Sequence, residues 1–148
     1  MHSFVSCLLH VVFSTKERRR IITPVLQAQL WPYLGGIARN NKMKALKIGG
    51  VEDHVHILMS LPATLDIAKA VQLLKGSSSK WVHETFPDQQ AFEWQAGYGA
   101  FSIGISGMAD TLTYIENQAE HHKRISFQEE LASILKKHGI EFEPGMLD

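Results

Sequence analysis

Residues 3–14, Ser-Phe-Val-Ser-Cys-Leu-Leu-His-Val-Val-Phe-Ser, are mostly β-branched and apolar, which predicts a central strand. A polar loop, Thr15–Arg20, follows. Thr23-Pro24 reads as an N-cap with proline at the first helical position. Leu26, Leu30, Leu34 and Ile37 then recur at helical spacing until Asn40-Asn41. Pro32 conflicts with this helix and should kink it or delay its start. Lys44–Ile48 predicts a short strand, Gly49-Gly50 a turn or bulge, and Asp53–Ser60 a further strand closed by Pro62. Ile67, Val71, Leu74, Ser78 and Trp81 mark a helix over about 65–84, and 86–95 reads as a loop. Tyr98–Ile105 is a fourth strand. Its small face, Ala100, Ser102 and Gly104, leaves room for something to approach the sheet.

A third helix is expected over about 107–122, with Leu112, Ile115 and Ala119 as its core stripe. Tyr114 and Gln118 lie about 100° away on the same helix. Ser126-Phe-Gln-Glu129 is a capping box that opens a last helix, with Gly139 as its stop. The order βαββαβ plus C-terminal helices predicts an α+β, ferredoxin-like antiparallel sheet with two helices on one face. The other face is then open for a site. Residues 1–125 are expected to form the catalytic domain, and 126–148 a helix and tail of the same domain.

The chemistry concentrates in two places. Strand side chains alternate, so His54 and His56 point to one face while Val55, Ile57 and Met59 point to the other. Two imidazoles fixed on a sheet are half of a divalent-metal site. Tyr114 and Gln118, at i,i+4 spacing, offer a phenol and an amide oxygen. An amide oxygen suits a hard cation such as Mg2+ or Mn2+, and such an ion polarises phosphate. The combination suggests metal-assisted phosphoryl transfer with Tyr114 as nucleophile and His54, His56 and Gln118 as metal ligands.

Composition adds constraints. With 148 residues, 45% apolar and 20% charged, the chain is one ordinary globular domain. No apolar run reaches the roughly 18 residues that span a bilayer. The single cysteine, Cys7, excludes an intrachain disulfide and fits a reducing cytoplasm. Net charge is zero, but residues 1–50 hold eight basic residues and one acid, leaving seven and fourteen for the remainder. This asymmetry points to a polyanion-binding face. Lys16, Arg18, Arg19 and Arg20 are its candidate phosphate contacts, with Lys75, Ser77, Ser78, Ser79 and Lys80 on the second helix. His121 and His122 could extend a metal site or meet DNA, although a helix C-terminus favours imidazolium without either role. His10 reads as a hydrogen-bonded strand histidine that could face the site side of the sheet, and Trp81 and Trp94 read as core residues.

Four segments occur in the order found in the single-tyrosine HUH transposases, small transposases of bacterial insertion sequences that move as single-stranded DNA. They are His10-Val-Val-Phe-Ser-Thr-Lys16, Asp53-His-Val-His-Ile57, Trp94-Gln-Ala-Gly-Tyr98 and Tyr114-Ile-Glu-Asn-Gln-Ala-Glu-His-His122. The similarity covers roughly residues 3–130. It implies a homodimer in which the tyrosine can complete the neighbouring subunit's site. It also implies recognition of DNA hairpins at element ends, cleavage through a 5′-phosphotyrosine with a free 3′-OH, and rejoining by the reverse attack. Magnesium or manganese is the implied ion, with no nucleotide cofactor and no membrane partner. The implied setting is the bacterial or archaeal cytoplasm, with nucleoid association. Relatives acting on repetitive extragenic palindromes share this core.

Two other readings stay open on the residues alone. One is a non-catalytic, domesticated nucleic-acid-binding module. The other is a zinc protein using His54, His56 and one of His121 and His122.

Overall fold

The apolar run at the start of the chain becomes the strand β1, Leu8–Ser14, in a computed structural model that describes residues 1–147. Asp148, the last residue of the expected tail, lies outside the described residues. The strand begins later than the run because its partners end there: Ser60 and Ile103 both pair with Leu8. Phe4 and Val5 are left exposed.

Four strands, β1, β2 (Lys44–Val51), β3 (His54–Ser60) and β4 (Gly99–Ile103), form one antiparallel sheet in the order β2-β3-β1-β4. Helices α1 (Pro24–Asn40) and α2 (Ile67–Thr85) cover one face. The expected α+β arrangement is therefore present. Thr23 caps α1 by accepting from the Leu26 N–H, and Asp66 caps α2 by accepting from the Lys69 N–H. Leu26, Leu30 and Leu34 interdigitate with Leu9, Val11, Phe13, Val55, Ile57 and Met59 from the sheet. Trp94 is buried against Phe13, and its indole N–H donates to the buried Ser78 hydroxyl.

Pro32 sits inside α1 without ending it. Pro32 and Ala28, whose carbonyl loses its helical donor, both lie on the exposed side, where water replaces the missing bond. The glycine pair is not the turn. Gly49 and Gly50 lie within β2, Glu52-Asp53 make the reversal, and the bulge is near Leu46, where the register shifts between Ala45 and Lys47. Backbone N–H groups of Thr15 and Ile22 hold the reversal by donating to the carbonyls of Asp53 and Glu52, both at 2.9 Å.

The expected helix over 107–122 is two pieces, α3 (Met108–Glu116) and α4 (Gln118–His121), separated at Asn117 (φ −96°, ψ 19°). The break turns Gln118 inward and Ala119 outward, so Ala119 leaves the core stripe and Gln118 is buried.

The second face of the sheet is not left open. α3 and α4 pack over β2, and α5 (Phe127–Lys137) lies across β1 and β4. Phe127, Leu131, Ile134 and Leu135 meet Val12 and Phe101 in a small apolar cluster separate from the main core. α5 thus uses the large Phe101 face of β4, while Ala100, on the small face, packs on the main core. Close approach occurs instead at Gly49, where an added Cβ would fall 2.4 Å from the Ile115 carbonyl oxygen of α3.

Two stability outcomes follow. Leu34→Ala, which empties part of the main core, should cost about 2–5 kcal/mol in denaturant unfolding. Gly49→Ala should lower the unfolding midpoint by pushing α3 off the sheet. An unchanged midpoint would mean that α3 is free to shift.

Candidate active site

The second face gathers the polar residues. His10, Val12 and Ser14 of β1 lie on it, opposite Leu58, His56 and His54 of β3. Gln118 enters from α4, Tyr114 from α3, His122 from the loop after α4, and Glu130 from the first turn of α5. Glu130 is 1% exposed, and His54 and His56 are fully buried.

His54, His56, His122, Gln118 and Tyr114 converge on the Glu130 carboxylate. His56 Nε2 is 2.9 Å from Oε1, His122 Nε2 3.0 Å and His54 Nε2 3.3 Å. Gln118 Nε2 donates to Oε2 at 3.0 Å, and the Tyr114 hydroxyl donates to the same oxygen. His121 Nε2 lies 3.4 Å from both Oε2 and the phenol oxygen. Gln118 turns its carbonyl oxygen to His54 Nε2 at 3.1 Å.

The far side of each inner imidazole is occupied as well. His54 Nδ1 is 2.6 Å from Asp53 Oδ1, His122 Nδ1 is 2.9 Å from the Ile125 carbonyl oxygen, and His56 Nδ1 is 2.7 Å from His10 Nε2. These partners fix each ring so that Nε2 faces inward, the outer-partner pattern of ligating histidines. His54 has an acceptor at both nitrogens, a situation met by imidazolium or by a cation at Nε2. One ligand atom from each of His54, His56, His122 and Glu130 lies within 4.8 Å of the others. Three imidazole nitrogens, a carboxylate oxygen and an adjacent amide oxygen are a fitting donor set for a divalent metal.

The electrostatics follow from burial and pairing. Burial pushes the His54 pKa down, but the hydrogen bonds with Asp53 and Glu130 outweigh it and raise the value to about 9. Burial, reinforced by His56, lowers His10 to about 3, so His10 is neutral. Burial also lowers His56. For Glu130, burial favours the neutral acid, yet the imidazoles of His122, His54 and His56 hold the carboxyl well below its usual range. Burial and the bond to Glu130 raise the Tyr114 phenol above its ordinary value. In this arrangement Tyr114 stays protonated, and Glu130 is a poor base toward it.

His54, His56, Gln118 and Tyr114 are thus brought together. Glu130 was missed by sequence reading because its capping box marks only a helix start. His122 is inside the cluster, so the helix-dipole account does not apply to it; α4 is only four residues long. The basic candidates divide. Lys16 pairs with Glu93 and Arg19 with Glu17, both on the surface, while Arg18 and Arg20 line a cleft beside His122. Lys75 lies with the helices of the other face, where its ammonium donates to the carbonyls of Gln95 (2.8 Å) and Gly97 (2.6 Å). Burial lowers its pKa to about 8. Ser78 is buried, not a surface contact. No helix among the described residues is long and apolar enough to cross a membrane.

A ferredoxin-like sheet carrying a His-x-His pair beside a tyrosine and a glutamine is the architecture of the single-tyrosine HUH transposase class. The model of the family "Transposase IS200 like" matches residues 3–118, and the chain belongs to that family. It is 26% identical over 127 residues to the transposase for insertion sequence element IS200 of Salmonella typhimurium, covering 82% of this chain and 83% of that one. Among solved structures, a putative transposase from Deinococcus radiodurans superposes with a TM-score of 0.67 at 24% identity, covering 80% of this chain and 95% of the other. A REP-associated tyrosine transposase bound to a REP hairpin superposes at 0.62 with 13% identity, covering 84% and 74%.

The His54 pairing has a pH signature in metal-free protein. Its folded value of about 9 lies above the unfolded 6.5, so its contribution is complete below 6.5 and lost as pH rises through about 9. His10 and His56, whose values are lowered, oppose this trend around the unfolded 6.5, and Lys75 opposes it above about 8. With chelator present, the thermal midpoint should fall between about pH 7 and 8, and Asp53→Asn should flatten the fall. A midpoint rising over that interval would contradict the pairing.

Proposed function

We propose that this transposase cleaves and rejoins single-stranded DNA by transesterification at Tyr114, with His54, His56 and Gln118 holding Mg2+ or Mn2+. The observation that carries the reading is the convergence of the phenol, both strand histidines and the amide on one buried anion, Glu130. A carboxylate there occupies the place a scissile phosphate would need. On this reading α5 draws back when DNA enters, and the incoming phosphate takes over the donors that Glu130 gives up.

The bound ion would polarise the phosphate and stabilise charge on the leaving 3′ oxygen. The Tyr114 oxygen attacks phosphorus and gives up its proton to solvent, the bond to the 3′ oxygen breaks, and that oxygen takes a proton from solvent and leaves as a hydroxyl. The Gln118 amide N–H, which donates to Glu130 in the absence of DNA, would donate to a phosphate oxygen, while Asp53 holds His54 in register. The released 3′-OH later attacks the phosphotyrosine and frees the phenol. Each step exchanges one phosphodiester for another, so no nucleotide cofactor is required. The hairpin bound by the structurally similar REP-associated transposase supports DNA hairpins at element ends as partners. A homodimer, with Tyr114 serving either subunit, fits the same family behaviour, as does action at the nucleoid in the cytoplasm.

Incubation with a labelled oligonucleotide carrying the element's hairpin and Mn2+ should give a covalent band on a denaturing gel. Tyr114→Phe and chelator should each abolish it, and His54→Ala should reduce it at least about a hundredfold. A band surviving in Tyr114→Phe would sink the assignment. Glu130→Ala should accelerate adduct formation at saturating Mn2+; a slower reaction would place Glu130 among the metal-holding groups instead.

One observation favours a second reading. His122 and Glu130 complete a three-nitrogen, one-oxygen set with His54 and His56, which suits tetrahedral zinc. Tightly held zinc in the purified protein, with activity indifferent to Tyr114→Phe, would establish it.

A further inference from the structure

A cleft of about 350 Å³ adjoins the cluster, with His122 and Asp53 in its wall. Tyr114 and His121 line a different cavity, of about 330 Å³. The first cleft carries Arg18 and Arg20 from the loop after β1 and Lys123 and Arg124 from the loop after α4. Two acids share the wall: Asp53, engaged with His54, and Glu52.

The basic charge of the first third of the chain is sorted by the fold. Lys16, Arg19 and Lys47 are neutralised by Glu93, Glu17 and Glu116. Within the cleft, Arg18 donates to the Leu147 carbonyl and Lys123 pairs with Glu120. Arg20 and Arg124 have no side-chain partner among the described residues, and both are exposed. The loop that delivers Arg18 and Arg20 is strained: Glu17 and Arg18 are consecutive non-glycine residues with φ of 57° and 53°. Such conformations persist where the surroundings impose them, and they concentrate at functional sites.

We propose that this cleft is a backbone-phosphate subsite for single-stranded DNA, with Arg20 and Arg124 clamping phosphates beside the one that is cleaved. The proposal rests on the strand-transferase reading. Two planar guanidiniums from separate loops can each bind a phosphate bidentately without reading the base. Neither Lys123 nor Arg124 stands out in the sequence, because they lie far from the basic N-terminal third.

The test is fluorescence anisotropy of full-length protein with a labelled oligothymidylate of about 20 nucleotides, in chelator, across a salt series. Arg20→Ala/Arg124→Ala should weaken binding about tenfold or more and lower the log–log salt slope by about 1.4, near 0.7 per lost phosphate contact. An oligocytidylate should show the same change. Arg39→Ala/Lys69→Ala, which removes equal charge from α1 and α2, should leave the slope unchanged. Arg20→Lys/Arg124→Lys, with the thermal midpoint as a folding check, should recover most of the slope. An unchanged slope in the alanine pair, or a loss confined to one base, would overturn the subsite. An absent Tyr114 adduct with the salt effect intact would remove the transferase reading and leave the cleft. An intact adduct with an unchanged slope would remove the cleft alone.

Discussion

The Glu130 carboxylate organises one entire face of this protein. It is buried, and its neighbours are imidazoles, an amide and a phenol. Placing an ionised carboxylate in such a position costs several kcal/mol of lost hydration unless donors surround it. Here they arrive from four directions: β3, α3, α4 and the loop after α4. The ion pairs orient these elements toward one point, which on the proposed reading a phosphate and a cation would share.

The sheet therefore divides labour between its faces. The α1/α2 face is apolar, and its core holds the strands rigid. The opposite face has only a small apolar cluster, so polar convergence accounts for much of what holds α3, α4 and α5 there. On the strand-transfer reading, the rigid face keeps the histidines in place to about an ångström, while α5 yields to incoming DNA. Gly49 contributes by letting the backbone of α3 sit directly on β2, which sets the depth of Tyr114.

The donors and the basic cleft are related by the same logic. Asp53 and His122 belong to both, each touching the inner cluster on one side and the cleft on the other. A nucleic-acid strand crossing the cleft would be led to the cluster by contiguous groups rather than by a separate domain. The chain's zero net charge conceals this arrangement, because surface acids cancel the lysines and arginines that are not needed there.

Much was legible from residue order alone. Period-two alternation put His54 and His56 on one face, because neighbouring side chains of a strand have no other choice. Helical spacing put Tyr114 and Gln118 together, and their meeting survived the break at Asn117 because both lie where the chain turns over β2. Glycine placement was not legible: a Gly-Gly pair signals a turn locally, yet here Gly49 answers to α3 packed from elsewhere and Gly50 to the adjoining backbone of β3. Glu130 and Arg124 were invisible for a related reason, and His122 was no more than one of two candidates. Their roles depend on where α5 and the loop before it fold back, and that path is set by Phe127, Leu131 and Leu135 finding Val12 and Phe101 across the sheet. The sequence by itself determined the elements, the two-histidine face and the tyrosine-glutamine pair, since these follow from local backbone periodicity. Only the tertiary structure decided what closes over them, since long-range burial selects which distant carboxylate and which cations share their space.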